Sequence, residues 1–399
     1  MTAEPPLTAD RRARLLDRRR LRKMAKSAHA YVRGNTAQFY EWLGELDGSV
    51  GVPEGPPVWI CGDCHLGNLG PLAAADDRID IQIRDLDQSV VGNPAHDLIR
   101  LALSLQSAAR GSDLPGVAAA HIVEAIIDGY SRALDGDESN GKHGAPDVVR
   151  AVRKRAHGRK WRHLADERIE GPDPSIPLGK RFWPLAEAER AGLERVFAQE
   201  DVRKLIVSLG CRDEDERIRL VDAAYWVKGC SSLGGLRFAA LAQVGSGKRR
   251  HFALVDLKEA VAALPPQARR RRTAGGDAHR VVAGARTLSP NLGERMMAVE
   301  VCGRPVVLRE LRPQDLKIEV SQFTRPEAIR AASYLAFVVG RAHASQMDEP
   351  TRRAWRGRLN REALGQLDAP PWLWRSVVQL AARHEAGYLE HCRRYALSR

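Results

Sequence analysis

The stretch from Val58 to Leu105 constrains this chain more than any other. It reads VWICGDCHLGNLG, a short polar interval, and then IDIQIRDLDQSVVGNPAHDLIRLALSL. Val58 to Ile60 is a short apolar run that breaks into a loop carrying Asp63 and Asn68, with His65 between them. Ile79, Ile81 and Ile83 alternate with polar residues, the period-two pattern of a half-buried strand. That strand delivers Asp85 and Asp87. Gly92-Asn93-Pro94 then breaks the chain, and Asp97 stands where a helix running to about Arg110 would take its N-cap. Hard cations take oxygen ligands, chiefly carboxylates with an occasional amide. Two strand ends therefore present Asp63, Asn68, Asp85 and Asp87 close enough in sequence to share one Mg2+ site.

The pattern G-D-x-x-x-x-N, a strand, an Asp and then G-x-P-x-x-D-L is similar to the catalytic and metal-binding loops of aminoglycoside and choline phosphotransferases, a branch of the protein-kinase-like fold. It resembles more closely the bacterial family known as domain of unknown function 2252, with its CGD-x-H-x-x-N-F-G and N-D-F-D runs. Leu69 and Leu86 stand where that family has Phe, and the polar positions are intact. The resemblance implies an α+β, two-lobed protein-kinase-like fold, with a helical large lobe and a small antiparallel-sheet lobe.

Composition narrows the class without deciding it. The chain has 399 residues, room for two lobes around a large core. Its net charge of +13 would suit nucleic acid, anionic lipid or a phosphate-rich ligand. Arginine is spread along the whole chain, however, and only Arg11 to Lys26 and Arg269 to Arg272 are dense. The first ten residues, MTAEPPLTAD, lack an apolar signal core, and no run reaches the roughly twenty apolar residues of a membrane span. A cytoplasmic protein with reduced thiols is expected. Cys61-Gly62-Asp63-Cys64-His65 matches a haem-attachment pattern, yet no export signal accompanies it and no second cysteine pair stands at zinc spacing. Neither haem nor zinc is expected.

Taken in order, residues 10–46 read as helical, beginning with the basic helix RRARLLDRRRLRKMAKS, whose arginines suggest a solvated face. AHAYVRGN resembles the family's F-x-F-x-R-G segment, which makes Arg33 either a phosphate contact or a surface arginine. Helices follow over 97–110 and 117–134. Periodicity is poor between Val148 and Glu200, and by analogy with kinase-like phosphotransferases this segment is where acceptor choice would lie.

From Ala223 the texture changes to three strands with glycine-rich turns. Gly229, Gly234 and Gly235, with Ser231 and Ser232 between, would let backbone N–H groups approach phosphate oxygens. The third strand ends at Lys258, and glycine loop, two strands, then lysine is the order of a kinase small lobe. A plain hairpin with a surface lysine is the alternative. Kinases hold that lysine with a glutamate from the next helix, and none exists between Pro265 and Leu288. Gln267 or Asp277 would have to substitute, since Glu259 points to the opposite face of its strand. Arg295 to Val301 and Pro305 to Glu310 read as a hairpin leading to Arg312-Pro313, the hinge over which an adenine ring would lie. Arg309, Arg312 and Lys317 resemble the family's V-R-Q-L-R-D-x-K run, with Glu310 at the Gln position as a further cofactor contact. Helices over 326–345 and 371–395 close the chain, the first carrying His343 as a packed or capping residue.

Relative to ordinary kinases the catalytic and metal loops come first and the glycine loop afterwards, which implies a circular permutation. Residues 1–200 and 316–399 would then form the large lobe and 201–315 the nucleotide-binding lobe. The leading expectation is ATP- and Mg2+-dependent phosphoryl transfer to an unidentified hydroxyl acceptor. Asp63 would orient or deprotonate that hydroxyl, Asn68, Asp85 and Asp87 would hold Mg2+, and Lys258 would neutralise the phosphates. The alternatives are a nucleotide-binding pseudoenzyme, nucleotidyl transfer with the nucleotide reversed, and a nucleic-acid-binding protein. The last would bind polynucleotide with a steep salt dependence.

Overall fold

The computed structural model describes residues 7–46, 51–112, 114–136, 144–169, 174–209, 212–229, 233–247, 250–266, 274–318, 324–360 and 370–397. Thr8 accepts from Arg11 N and Ser27 from Ala30 N, so each starts a helix: α1 (Ala9–Met24) and α2 (Ala28–Gly34). Asn35 caps α3 (Thr36–Gly44) through Gln38 N. The chain then forms β1 (Val58–Ile60), a 3-10 turn (Leu66–Asn68), and the hairpin β2 (Leu69–Ala73) and β3 (Ile79–Ile83). Leu69 pairs with Ile83, and β4 (Val90–Gly92) returns so that Val90 pairs with Ile60. Both acidic loops are thereby drawn to one place.

Four helices follow: α4 (Ala95–Arg110), α5 (Gly116–Leu134), α6 (Asp147–His157) and α7 (Trp161–Arg168). The N-cap of α4 is Pro94, not Asp97, which lies within the first turn and turns its carboxylate elsewhere. Helices α6 and α7 occupy a segment whose periodicity is weak, because only one narrow stripe of each is buried: Val149, Val152 and Ala156 in α6, Leu164 in α7.

A six-stranded antiparallel sheet comes next, in the order β5-β6-β7-β8-β10-β9. Its strands are β5 (Phe182–Trp183), β6 (Ile218–Trp226), β7 (Arg237–Val244), β8 (His251–Glu259), β9 (Met296–Val301) and β10 (Arg304–Glu310). Helices α8 (Glu187–Phe197) and α9 (Glu200–Val207) cover one face, where Leu193, Val196 and Ile206 join Phe238, Leu257 and Leu308 in one apolar cluster. The sheet and its covering helices therefore begin at Phe182, so residues 182–200, grouped by sequence with the first segment, pack with the sheet. Between β8 and β9 the chain forms α10 (Asp277–Leu288) and α11 (Pro290–Gly293). The last helices are α12 (Arg325–Ala344), α13 (Glu349–Leu359) and α14 (Pro371–Leu397).

The larger core is helical. Leu98, Leu101, Leu105, Ile122, Ile126, Leu335 and Val339 are fully buried within it, each burial worth about 1.5–3 kcal/mol. At Gly129 α5 runs so close to α12 that a Cβ there would lie 1.9 Å from Ser333 O. Among the described residues no helix is long and apolar enough to cross a membrane.

Helix α1 keeps Arg11, Arg14, Arg18 and Arg22 exposed, as expected of so many arginines, but its other face is packed. Arg12 is buried, paired with Glu189 at 2.6 Å and stacked 4.1 Å over the Tyr225 ring, and Leu16 enters the apolar cluster of the sheet. At its other end Arg22 donates to Tyr395 Oη at 2.7 Å and His391 of α14 bonds Leu21 O. This helix spans from the sheet to the helical layer.

Candidate functional site

The loop after β1 turns at Gly62, with φ +73°, and a Cβ there would stand 2.2 Å from Gln88 O. Asp97, fully buried, accepts from Cys61 N at 2.7 Å and Gly62 N at 2.9 Å. It therefore braces the loop from α4 instead of capping that helix. Behind it, Trp355 Nε1 donates to Tyr130 Oη at 3.2 Å, and with His343 Nε2 turned to the Asp97 carboxylate, which accepts, His343 Nδ1 takes the hydrogen of the Tyr130 hydroxyl at 3.0 Å. His343 Nε2 donates to Asp97 at 3.2 Å. His343 is thus a packed residue at the back of the loop.

Asp63, the next residue, is held by both oxygens: Oδ1 accepts from Arg100 Nε and Oδ2 from Thr36 Oγ1, each at 2.8 Å. Arg100 is wholly buried, and its Nη2 donates to Val32 O at 2.8 Å. Each oxygen of an ionised carboxylate has a further lone pair, so Asp63 can still accept from a hydroxyl. Asn68 Nδ2 donates to Asp63 O at 2.9 Å, which fixes the amide and leaves its carbonyl oxygen free for a cation.

Asp85 and Asp87 follow β3, and Lys258 reaches them from β8, a separation of 171 residues from Asp87. Lys258 Nζ pairs closely with Asp87 and lies 3.5 Å from Asp85. The protein around the cleft acts to raise the Asp85 carboxyl, but its side chain is 48% exposed, and Lys258, Arg309 and Arg237 outweigh that effect and hold it well below the usual range. Burial and the neighbouring Asp85 charge push Asp87 up. Burial works against the Lys258 ammonium, and the two carboxylates overcome it and raise its pKa. Two carboxylates crowding one lysine, with an amide oxygen near, suit Mg2+, which takes one or two carboxylates and completes its octahedron with water and substrate phosphate. Among the described residues no three His, Cys, Asp or Glu side chains cluster as a ready-made metal cage.

Asp63, Asn68, Asp85, Asp87, Lys258 and Gly235 all line one cleft of about 500 Å3. Other expected contacts stand apart from it. Gly229 O accepts from Lys23 Nζ at 2.6 Å, under α1. Gly234, with φ +118°, has open space beside it. Ser231, Ser232 and Gln267 lie outside the described residues. Arg33 packs its guanidinium against Gly67, beneath the 3-10 turn, and does not line the cleft. Glu310 points away, bound through both oxygens to Arg212 at 2.6 and 2.8 Å, and burial raises its pKa. Asp277 pairs with Arg280, and Glu259 accepts from Leu236 N and Arg304, so the partners of Lys258 come from the loop after β3. No residue of 148–169 lines the cleft; its outer wall comes from α1, α2 and α14, through Met24, Tyr31 and His391.

A profile described as "Uncharacterized protein conserved in bacteria (DUF2252)" matches residues 12–394. The chain belongs to that family. No curated protein and no solved structure matches it.

In this DUF2252 chain the cleft face of the sheet is built in three rows, since alternate residues share a face. Arg237, Lys258 and Val307 are paired across the first row, Ala239, Asp256 and Arg309 across the second. Leu241 pairs with Leu254 in the third, where Leu311 N donates to Leu254 O at 2.8 Å. Asp256 binds Arg237 at 2.6 and 2.9 Å and Arg309 at 3.1 Å, closing the second row with charge. Leu164 and Ile176 pack on the third row. The hinge expected to carry an adenine is committed as well: Pro313 O accepts from Arg159 Nε at 2.6 Å and Arg312 N donates to Asp315.

Proposed function

We propose that this chain transfers a phosphorus-bearing group from a nucleoside triphosphate, ATP in the simplest case, to a hydroxyl acceptor in a Mg2+-dependent, kinase-like cleft. The observation that carries this reading is the convergence of Asp63, Asn68, Asp85, Asp87 and Lys258, from both sides of the chain, on one cavity of about 500 Å3. The strand order supports it: β6-β7-β8-β10-β9 with a helix between β8 and β9 is the plan of a kinase small lobe, here following the catalytic loops as a circular permutation would require.

Asp63, locked by Arg100 and Thr36, orients the acceptor hydroxyl and receives its proton. Lys258 supplies positive charge to the phosphates, for which it must exchange Asp87 as partner. Asn68, Asp85 and Asp87 would hold the cation, which when bound would offset the charge of the phosphates. The acceptor enters along the wall formed by α1, α2 and α14.

A second reading, nucleotide binding without turnover, draws on the pairing of Lys258 with the metal loop where kinases use a helix glutamate. Turnover separates the two. Asp63→Asn is expected to lower the rate of ATP consumption at least about a hundredfold while leaving Mg2+·ATP affinity intact. Unchanged turnover in that variant would remove Asp63 from the chemistry, and wild-type binding with no turnover toward any hydroxyl acceptor would favour the second reading.

A further inference from the structure

The cleft has two unlike ends, and they bear on which way a nucleotide lies; this inference rests on the Mg2+·ATP reading above. Asp85, Asp87 and Lys258 also line a second cavity of about 50 Å3, walled by Arg84, Arg237, Arg309 and Asp256. A buried water needs roughly 10–15 Å3 of such space, so about four waters or one phosphoryl group fit, and a purine does not. Four cationic side chains here face three carboxylates, a surplus of one positive charge before any metal is added. Arg84 has donors to spare: Nη2 donates to Asp315 O at 3.3 Å, while Nε and Nη1 are buried with no partner.

The mouth is the opposite. Val261 and Leu264 are 50% and 42% exposed, and with Leu236, Met24 and Tyr31 they line the outer cleft. Exposed apolar side chains flanking a groove suit a flat base. The inner hinge offers no such surface, being filled by Leu164 and Ile176 and by the Arg237–Asp256–Arg309 pairs.

We propose that the triphosphate enters with its terminal phosphate in the Arg84, Arg237 and Arg309 cavity and its base at the mouth, so that the group transferred is the nucleotidyl group. In this direction the α-phosphorus faces Asp63. The acceptor oxygen bonds to that phosphorus, the bond to the oxygen bridging the α and β positions breaks, pyrophosphate leaves, and the hydroxyl proton passes to the Asp63 carboxylate.

Calorimetry on the full chain tests this with two ATP analogues, one bearing an aryl ester on the γ-phosphate and one bearing a bulky N6 substituent on adenine. The expected result is that N6-substituted ATP binds like ATP while the γ-aryl ester loses about ten- to a hundredfold in affinity; the opposite ranking overturns the proposal. Arg84→Met is expected to weaken Mg2+·pyrophosphate and Mg2+·ATP by a similar factor and leave AMP unchanged. Unchanged pyrophosphate affinity in a folded Arg84→Met variant also overturns it. If wild-type protein binds Mg2+·ATP but discriminates against neither analogue, the reversed orientation fails and the cleft reading stands. If it binds neither ATP nor pyrophosphate with Mg2+, both fail.

Discussion

Replacing Asp97 by Asn tests the frame that holds the loop after β1. Every partner of this carboxylate is a donor: Cys61 N at 2.7 Å, Gly62 N at 2.9 Å and His343 Nε2 at 3.2 Å. An amide has one acceptor oxygen, so its NH2 must face a donor. With the oxygen toward Cys61 and His343, the Gly62 bond is lost; with the amide flipped, both of the others are. A hydrogen bond to a charged group contributes about 1.5–3 kcal/mol and an orphaned buried donor costs about 1–3. The better orientation therefore loses about 2.5–6 kcal/mol, a large share of a folding free energy of about 5–15 kcal/mol. Urea unfolding reads the change as a lower midpoint at unchanged slope, and amide exchange should quicken first at Gly62. A loss below about 0.5 kcal/mol, or exchange at Gly62 that stays as slow as in the native chain, would refute the bracing role.

Gly62→Ala should destabilise by more than about 2 kcal/mol, because alanine disfavours φ +73° and its Cβ meets a backbone carbonyl at 2.2 Å; a melting temperature like the wild type would contradict it. Stability should fall as pH drops below about 6.5. Burial depresses the buried His96 and His384 to about 4 each. Between those values the unfolded chain binds protons that the folded chain does not. Each histidine therefore removes about 1.4 kcal/mol per pH unit, and the contribution is fully present only above 6.5. Unfolding curves recorded from pH 7 to 5 check this, and His384→Gln should flatten the slope; an unchanged slope in that variant would remove His384 from the account.

The candidate site was legible where chemistry forced residue types into a short span. Asp63, Asn68, Asp85 and Asp87 stand at the ends of strands that alternation marks, so their convergence could be read directly. Lys258 could be placed because three strands with glycine turns precede it. The clamp on Asp63 could not. Arg100 lies in the apolar run LIRLALSL, where one buried arginine breaks no periodicity, and only its position one turn after Asp97 hints at a role. The packed contacts of helix α1 could not be read because its partners, Glu189, Gly229 O and Tyr395, are remote in sequence. Strand parity does separate Arg309 from Glu310, which sends one to the cleft face and the other to Arg212, but nothing in the sequence reveals that α7 and Ile176 fill the hinge side.

The most direct test of the central claim is calorimetric titration of the wild-type chain and Asp85→Ala with ATP, with and without Mg2+. The account predicts Mg2+-dependent binding by the wild type that Asp85→Ala abolishes. Absence of ATP binding by the folded wild type, or equal binding by the variant with and without Mg2+, would contradict it.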